Sequence, residues 1–114
     1  MCLITLATCT LLTAMPPPAA AQALDLDRGS YVASEFACDT APSLASMDYD
    51  GRAFITGRSV CRLEAAGRQG DTYNVTCMEG TDTASRETQR WQFKLVSRRS
   101  FSVNGTTFRM CPAP

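Results

Sequence analysis

The cysteines are the residues of this sequence with the greatest potential for chemistry, and they fall into two groups. Cys2 and Cys9 lie in an apolar N-terminal stretch. The remaining four are Cys38, Cys61, Cys77 and Cys111. No spacing among them resembles the C-x-x-C of zinc sites and redox motifs, and the chain has no histidine to complete a metal site. We therefore interpret these four cysteines as two structural disulfides.

Catalytic groups are scarce in the rest of the sequence. The lack of histidine removes the commonest general base and excludes Ser–His and Cys–His nucleophilic systems. Asp48 and Asp50 form the nearest carboxylate pair that a glycosidase could use, but they precede Gly51 in a pattern typical of a tight turn. The same pair begins like a calcium loop and lacks the further ligands. We predict that the protein is not an enzyme and uses no cofactor or metal.

The N-terminal stretch predicts export. Its apolar run is followed by Pro16-Pro17-Pro18 and then by small residues, and Ala21-Gln22-Ala23 has the small side chains that signal peptidase requires. The run is shorter than the roughly 20 apolar residues of a membrane-spanning helix. A lipoprotein cleavage before Cys9 would place Thr8, a poor residue, before the modified cysteine. We predict a signal peptide over residues 1–23 and a periplasmic or secreted product with no transmembrane segment.

The remaining residues, 24–114, are enough for one small domain. A core of this size is marginal, and two disulfides would each stabilise it by about 2–4 kcal/mol. Four cysteines allow three pairings. We favour Cys38–Cys61 with Cys77–Cys111, because the loop between the second and third cysteines fits a hairpin slipped by one residue. The pairing Cys38–Cys111 with Cys61–Cys77 is the close alternative.

Alternation of apolar and polar residues predicts an all-β domain. Cys61 and Leu63 alternate with polar residues, as do Tyr73, Val75 and Cys77 after a glycine-containing loop. Asn104-Gly105 is a strong hairpin signal and places Phe101 opposite Phe108. A polar loop is predicted from Met78 to Ser85. The sum is a small antiparallel meander of six to eight short strands, either a barrel or a sandwich.

Six aromatic residues stand at positions that could line a ligand cavity or fill a core. In a domain of this size little interior remains once such side chains are packed, so we interpret them as core. They are Tyr31, Tyr73, Trp91, Phe93, Phe101 and Phe108.

Charge is distributed unevenly although the net charge is zero. Residues 24–51 hold six acids against one base, and residues 86–114 hold six bases against one acid. Either these are binding faces for charged partners, or the first and last strands are neighbours whose charges complement each other, which is the interpretation we favour. Aromatic residues are not interleaved with the bases, so no nucleic-acid partner is predicted.

The pattern resembles small, exported, four-cysteine proteobacterial proteins of unknown function. The resemblance rests on these residues: Gly29, Tyr31, Cys38, Ala41-Pro42, Tyr49-Asp50-Gly51, Cys61, Tyr73, Cys77, Arg86-Glu87, Phe108-Arg109 and Cys111. It covers the whole mature chain and implies no activity.

A looser similarity links the chain to periplasmic inhibitors of animal-type lysozyme, which are small secreted β-barrels. That family inserts a Ser-Gly loop into the lysozyme cleft. The corresponding segment is Ile55-Thr56-Gly57-Arg58-Ser59, with Thr56 where the family has serine. The resemblance implies that this segment is an interaction loop.

The sequence therefore predicts a non-catalytic binding module of the cell envelope, with an unknown protein or envelope component such as a surface glycan as partner. Two alternatives are an inhibitor of a lysozyme-type hydrolase and a carrier of a small apolar ligand. A closed cavity near Trp91 and Phe101 would favour the carrier.

Overall fold

A computed structural model describes residues 24–112, so the predicted signal peptide lies outside the described residues. Residues 24–112 form eight strands and one 3₁₀ turn. The strands are β1 (Gly29–Ala33), β2 (Ser46–Tyr49), β3 (Phe54–Thr56), β4 (Ser59–Gln69), β5 (Thr72–Glu79), β6 (Asp82–Ser97), β7 (Ser100–Val103) and β8 (Thr106–Met110), and the 3₁₀ turn is Ser43–Ala45. Within the described residues, no helix is long and apolar enough to cross a membrane.

The strands form a closed antiparallel barrel in sequence order. Each strand pairs with the next, and β8 returns to β1 with Tyr31 opposite Met110 and Ala33 opposite Phe108. The predicted all-β meander is confirmed, and it is a barrel rather than a sandwich. Closure leaves the barrel with two ends. The upper end carries the β1–β2 loop and the β3–β4, β5–β6 and β7–β8 turns, and the lower end carries the other turns.

Aromatic side chains fill the barrel interior. All six aromatic residues interpreted as core are at most 6% exposed, which confirms that interpretation. Phe54, 1% exposed, joins them with ring centroids 5.1 Å from Phe101 and 5.6 Å from Phe93. The rings meet in tilted and stacked geometries, which add to the stabilisation from burial alone.

The β4–β5 hairpin places Cys61 directly opposite Cys77, and the two form a buried disulfide. The turn is only Gly70-Asp71, since Gln69 pairs with Thr72. Between Glu64 and Gln69 the register shifts, so β4 carries three more residues than β5 over the same stretch. A four-residue loop would have shifted the strand pairing by one residue. The bulge takes up the extra residues of β4, so Cys61 lies opposite Cys77.

The second disulfide joins Cys38 to Cys111, so the favoured pairing of Cys38–Cys61 with Cys77–Cys111 is wrong. Cys61 and Cys77 face the interior, whereas Cys111 follows β8 and is held beside β1 by a hydrogen bond from its N–H to the Ser30 carbonyl. After Ala33 the chain folds back over the outside of this strand pair. Arg109 donates to the Phe36 carbonyl at 2.8 Å and to Cys38 Sγ at 3.4 Å. The outward-facing Val32 is consequently only 4% exposed.

Two predictions about the connections between strands have opposite outcomes. Phe101 pairs with Phe108, and Asn104 and Gly105 both have positive φ, as the predicted tight hairpin requires. The prediction of a polar loop from Met78 to Ser85 is wrong. Its residues continue β5 and β6 and leave a turn of only Gly80-Thr81, because a bulge in β6 absorbs the extra residues.

The segment before β1 covers part of the lower end. Leu26 is 7% exposed and belongs to the core, and the Asp27 N–H donates to the Arg98 carbonyl in the β6–β7 turn. The Tyr31 hydroxyl donates to the Asp27 carbonyl. The segment therefore closes one side of the barrel mouth.

The β2–β3 turn at the lower end is organised by the carboxylate of Asp50. Oδ1 accepts the N–H groups of Arg52 and Ala53, both at 2.8 Å, and Gly51 takes a positive φ of 98°. These hydrogen bonds favour the ionised form and hold the pKa of Asp50 below its ordinary value of 3.8.

We expect Asp50→Ala to lower the melting temperature at pH 7 by about 5 °C, which corresponds to about 1 kcal/mol. Because the folded-state pKa is depressed, the stabilisation is present above the unfolded-state pKa of 3.8 and is lost as pH falls through the folded-state value. Thermal melts from pH 7 to pH 2 should show the gap between wild type and variant narrowing below about pH 4. Asp39→Ala, an exposed aspartate elsewhere, serves as control, and a gap that stayed constant with pH would contradict this role.

Candidate binding surface

The predicted interaction loop, Ile55–Ser59, consists of a two-residue hairpin turn at the upper end and the strand residues that flank it. Thr56 pairs with Ser59, so Gly57 and Arg58 form the exposed tip, and Gly57 adopts a positive φ of 60°. The N–H of Gly80 donates to the Arg58 carbonyl at 2.9 Å, which joins the tip to the neighbouring β5–β6 turn. The tip is therefore both exposed and held in place by backbone contacts.

An apolar stripe crosses the outside of the barrel just below this turn. Ile55 pairs with Val60, and Val60 pairs with Met78, so the three side chains lie side by side on β3, β4 and β5. Their neighbours along each strand, Phe54, Cys61 and Cys77, are buried in the interior, so the three face outward. Each of the three is partly exposed. We call this set the outer stripe.

Shallow grooves flank the outer stripe on both sides. A groove of about 220 Å³ lies towards β2 and includes Asp48, which pairs with Ile55. A second groove of about 250 Å³ is lined by Val60, Arg62, Glu64, Thr76, Met78 and Arg86. The stripe thus has a carboxylate at one border and two guanidinium groups beside a carboxylate at the other. An apolar centre with a polar, charged rim is the usual composition of a protein-binding patch.

Exposed apolar character continues at the upper end beside the first groove. Leu44, on the 3₁₀ turn, is 93% exposed, and the adjacent Ser43 lines the same groove as Ile55 and Gly57. Leu44 therefore extends the apolar surface beyond the stripe.

The first and last strands are neighbours, as the favoured interpretation predicted, but the ion pairs join the segment before β1 to the β6–β7 turn. Arg98 lies 3.3 Å from Asp27 and 3.7 Å from Asp25, and Arg99 lies 3.3 Å from Asp27. These pairs are exposed and each stabilises the fold by less than about 1 kcal/mol. They involve two of the six acids of residues 24–51 and two of the six bases of residues 86–114.

Buried tyrosines supply hydrogen bonds rather than reactivity. Burial, with the negative charge of Asp27 adding to it, raises the pKa of Tyr31 to about 12. Burial also raises the pKa of Tyr49. Both hydroxyls stay protonated at neutral pH, and that of Tyr31 donates to the Asp27 carbonyl. Among residues 24–112, no three His, Cys, Asp or Glu side chains converge to hold a metal ion.

Only one end of this surface had been predicted from the sequence. That end is Ile55–Ser59, whereas the positions of Val60, Met78, Arg62 and Arg86 follow only from the strand register. A signal was present, because Val60 and Met78 are apolar residues at positions where the alternation around Cys61 and Cys77 calls for polar ones.

No protein-family model, curated protein or solved structure matches this chain. Two disulfides are typical of a protein that folds in an oxidising, extracytoplasmic compartment.

Proposed function

We propose that this protein is a secreted or periplasmic, non-catalytic binding module of the cell envelope that recognises a partner protein through the outer stripe and its rims. The observation that carries the proposal is the cross-strand row of Ile55, Val60 and Met78 between Asp48 and the two arginines, Arg62 and Arg86. Strand positions that face solvent are ordinarily polar. Three adjacent apolar residues on outward positions of three strands are better explained by a partner that covers them.

The charges around the stripe would set the orientation of that partner. A partner patch with an apolar centre needs a basic group towards Asp48 and an acidic group towards Arg62 and Arg86. Such rim charges chiefly affect the rate and specificity of association, and the apolar centre supplies most of the affinity.

Site-specific photocrosslinking tests this proposal. A benzophenone amino acid is placed at Val60, and the purified protein is mixed with an envelope extract of its native host. We expect one crosslinked product whose yield falls at least about tenfold when Met78→Glu is added, since a buried carboxylate at the centre of an interface costs more than 1.4 kcal/mol. Thr107, exposed on β8, is the control position and should give no such product. Equal products from both positions would contradict the proposal.

A second candidate function is inhibition of a lysozyme-type hydrolase by the Ile55–Ser59 turn. The observation that favours it is the exposed Arg58 at a tip braced by Gly80. Within residues 24–112 the Arg58 guanidinium forms no ion pair, so its charge remains available. The cleft of a retaining glycosidase presents two carboxyl groups about 5–5.5 Å apart, which a guanidinium can bridge.

We expect the purified protein to inhibit hen-type lysozyme in a turbidity assay with bacterial cells. Arg58→Ala should weaken inhibition at least about tenfold, because one side of a charge-assisted pair is lost. Arg52→Ala, an exposed arginine in the β2–β3 turn at the other end, should leave inhibition unchanged. Full lysozyme activity in a molar excess of the wild-type protein would refute this second function.

A further inference from the structure

The lower end of the barrel contains a pocket that was not predicted from the sequence and that does not belong to the outer stripe. Its volume is about 300 Å³, and it is lined by Arg68, Asp71, Tyr73, Phe93, Lys94 and Leu95. Tyr73 and Phe93 are interior residues whose rings meet edge to face with centroids 6.0 Å apart. Leu95 pairs with Phe101 and so has an interior position, yet it is 42% exposed. Leu95 therefore presents apolar surface to solvent at the rim of the pocket, beside the buried rings of Tyr73 and Phe93.

The β4 bulge places Arg68 over this opening. Gly67 has a positive φ of 76°, and a side chain there would collide with Asn74, so the bulge depends on glycine. Asn74 in turn holds the bulge, donating to the Ala66 carbonyl at 3.4 Å and accepting from Arg90 at 2.9 Å. Bulges at the rims of barrels are a recurrent means of redirecting one side chain towards a site.

Contacts with Tyr73 and Gly70 hold the Arg68 side chain in place, and its two terminal nitrogens remain available as hydrogen-bond donors. Its guanidinium carbon lies 4.5 Å from the centroid of the Tyr73 ring, and Nε donates to the Gly70 carbonyl at 2.8 Å. Its two terminal nitrogens make no hydrogen bond to any residue from 24 to 112, and no carboxylate of that part lies within 4.0 Å. Arginine presents its donors in a planar fork that matches a carboxylate.

The other two charged residues of the pocket, Lys94 and Asp71, form an ion pair. Lys94 Nζ lies 4.0 Å from Asp71 Oδ2, and both side chains are about half exposed. The charge of Arg68 therefore remains without a counterion in the pocket. A ligand that matched it would carry one negative charge.

We propose that this lower mouth binds a small molecule that combines a flat apolar ring system with a single carboxylate. The ring system would contact Leu95 at the rim of the pocket, which Tyr73 and Phe93 also line, and the carboxylate would accept two hydrogen bonds from Arg68. A volume of about 300 Å³ suits a compact bicyclic ligand and is at the small end for ligand sites, which commonly occupy barrel mouths. The site is separate from the outer stripe, so it stands whether or not the stripe binds a protein.

Calorimetric titration with 2-naphthoate tests the site on the purified, fully oxidised protein. We expect saturable one-to-one binding that weakens at least about tenfold in Arg68→Gln and in Leu95→Asp. Arg62→Gln, on the outer face of the same strand, is the matched control and should bind like wild type. The uncharged analogue 2-naphthylmethanol should bind at least about tenfold more weakly than the acid.

Three results would overturn the proposal. They are no naphthoate binding at millimolar concentration, equal binding of the acid and the alcohol, and equal weakening by Arg62→Gln and Arg68→Gln. Melting temperatures of all variants establish that each is folded, and Leu95→Met keeps an apolar contact and should retain binding if Leu95→Asp unfolds the barrel. Met78→Glu should leave naphthoate binding unchanged, so failure of this site and failure of the proposed protein-binding function are distinguishable.

Discussion

Phe101→Ala should lower the free energy of unfolding by about 3–5 kcal/mol, the range for a fully buried aromatic residue. The Phe101 ring is 0% exposed and lies against four other rings, those of Tyr31, Phe54, Phe93 and Phe108, with centroids 5.0 to 5.5 Å apart. Truncation leaves a cavity that these stiff rings cannot collapse into. In a small domain whose total stability is on the order of 5–15 kcal/mol, this is a large share.

Thermal and urea unfolding of the oxidised protein measure this effect. The melting temperature should fall by about 15 °C or more. Thr107→Ala, exposed on the adjoining strand of the same hairpin, is the control and should change it little. An unchanged melting temperature for Phe101→Ala would mean that the rings do not form the core described here.

Replacing both Cys38 and Cys111 by serine should be comparably harmful. The disulfide joins residues 73 positions apart, and a loop of this length restricts the unfolded chain by about 4 kcal/mol. The bond also holds the segment after β1 over Val32, an outward-facing residue that is only 4% exposed. Its loss therefore removes a constraint on the unfolded chain and uncovers apolar surface in the folded one.

Two measurements separate these consequences. Urea unfolding should show the loss of stability, and limited proteolysis should show new cleavage between residues 34 and 42 under conditions where the barrel remains folded. Asp39→Ala keeps the disulfide and is the control. A double variant that resisted the protease like wild type would show that contacts such as those of Arg109, rather than the disulfide, hold this segment.

The candidate binding surface was only partly predictable from the sequence, because most of its residues are brought together by strand pairing. Ile55–Ser59 stood out only because it resembles the Ser-Gly loop of the lysozyme inhibitors. Val60 and Met78 are near in space and 18 positions apart in sequence, so their contact depends on the register of the β4–β5 hairpin. That register depends on the position of the β4 bulge, between Glu64 and Gln69, where β4 has three more residues than β5.

The lower mouth was beyond sequence reasoning for a related reason. Arg68 looked like a loop residue between Gly67 and Gly70. In the structure the turn is Gly70-Asp71, and Arg68 belongs to a bulge that brings it over Tyr73. No local pattern distinguishes a longer loop from a short turn preceded by a bulge, because both use the same glycines.

What the sequence determined by itself is the local part of the fold. Alternation assigned Tyr73, Val75 and Cys77 to the interior, and Asn104-Gly105 set the pairing of Phe101 with Phe108, because side-chain direction and tight-turn geometry are properties of neighbouring residues. The register in which β8 meets β1, the pairing of Cys38 with Cys111, and the outward row of Ile55, Val60 and Met78 were decided only by the tertiary structure. Each of these depends on which distant strand edges meet, and that choice is made by the packing of the whole interior rather than by any segment alone.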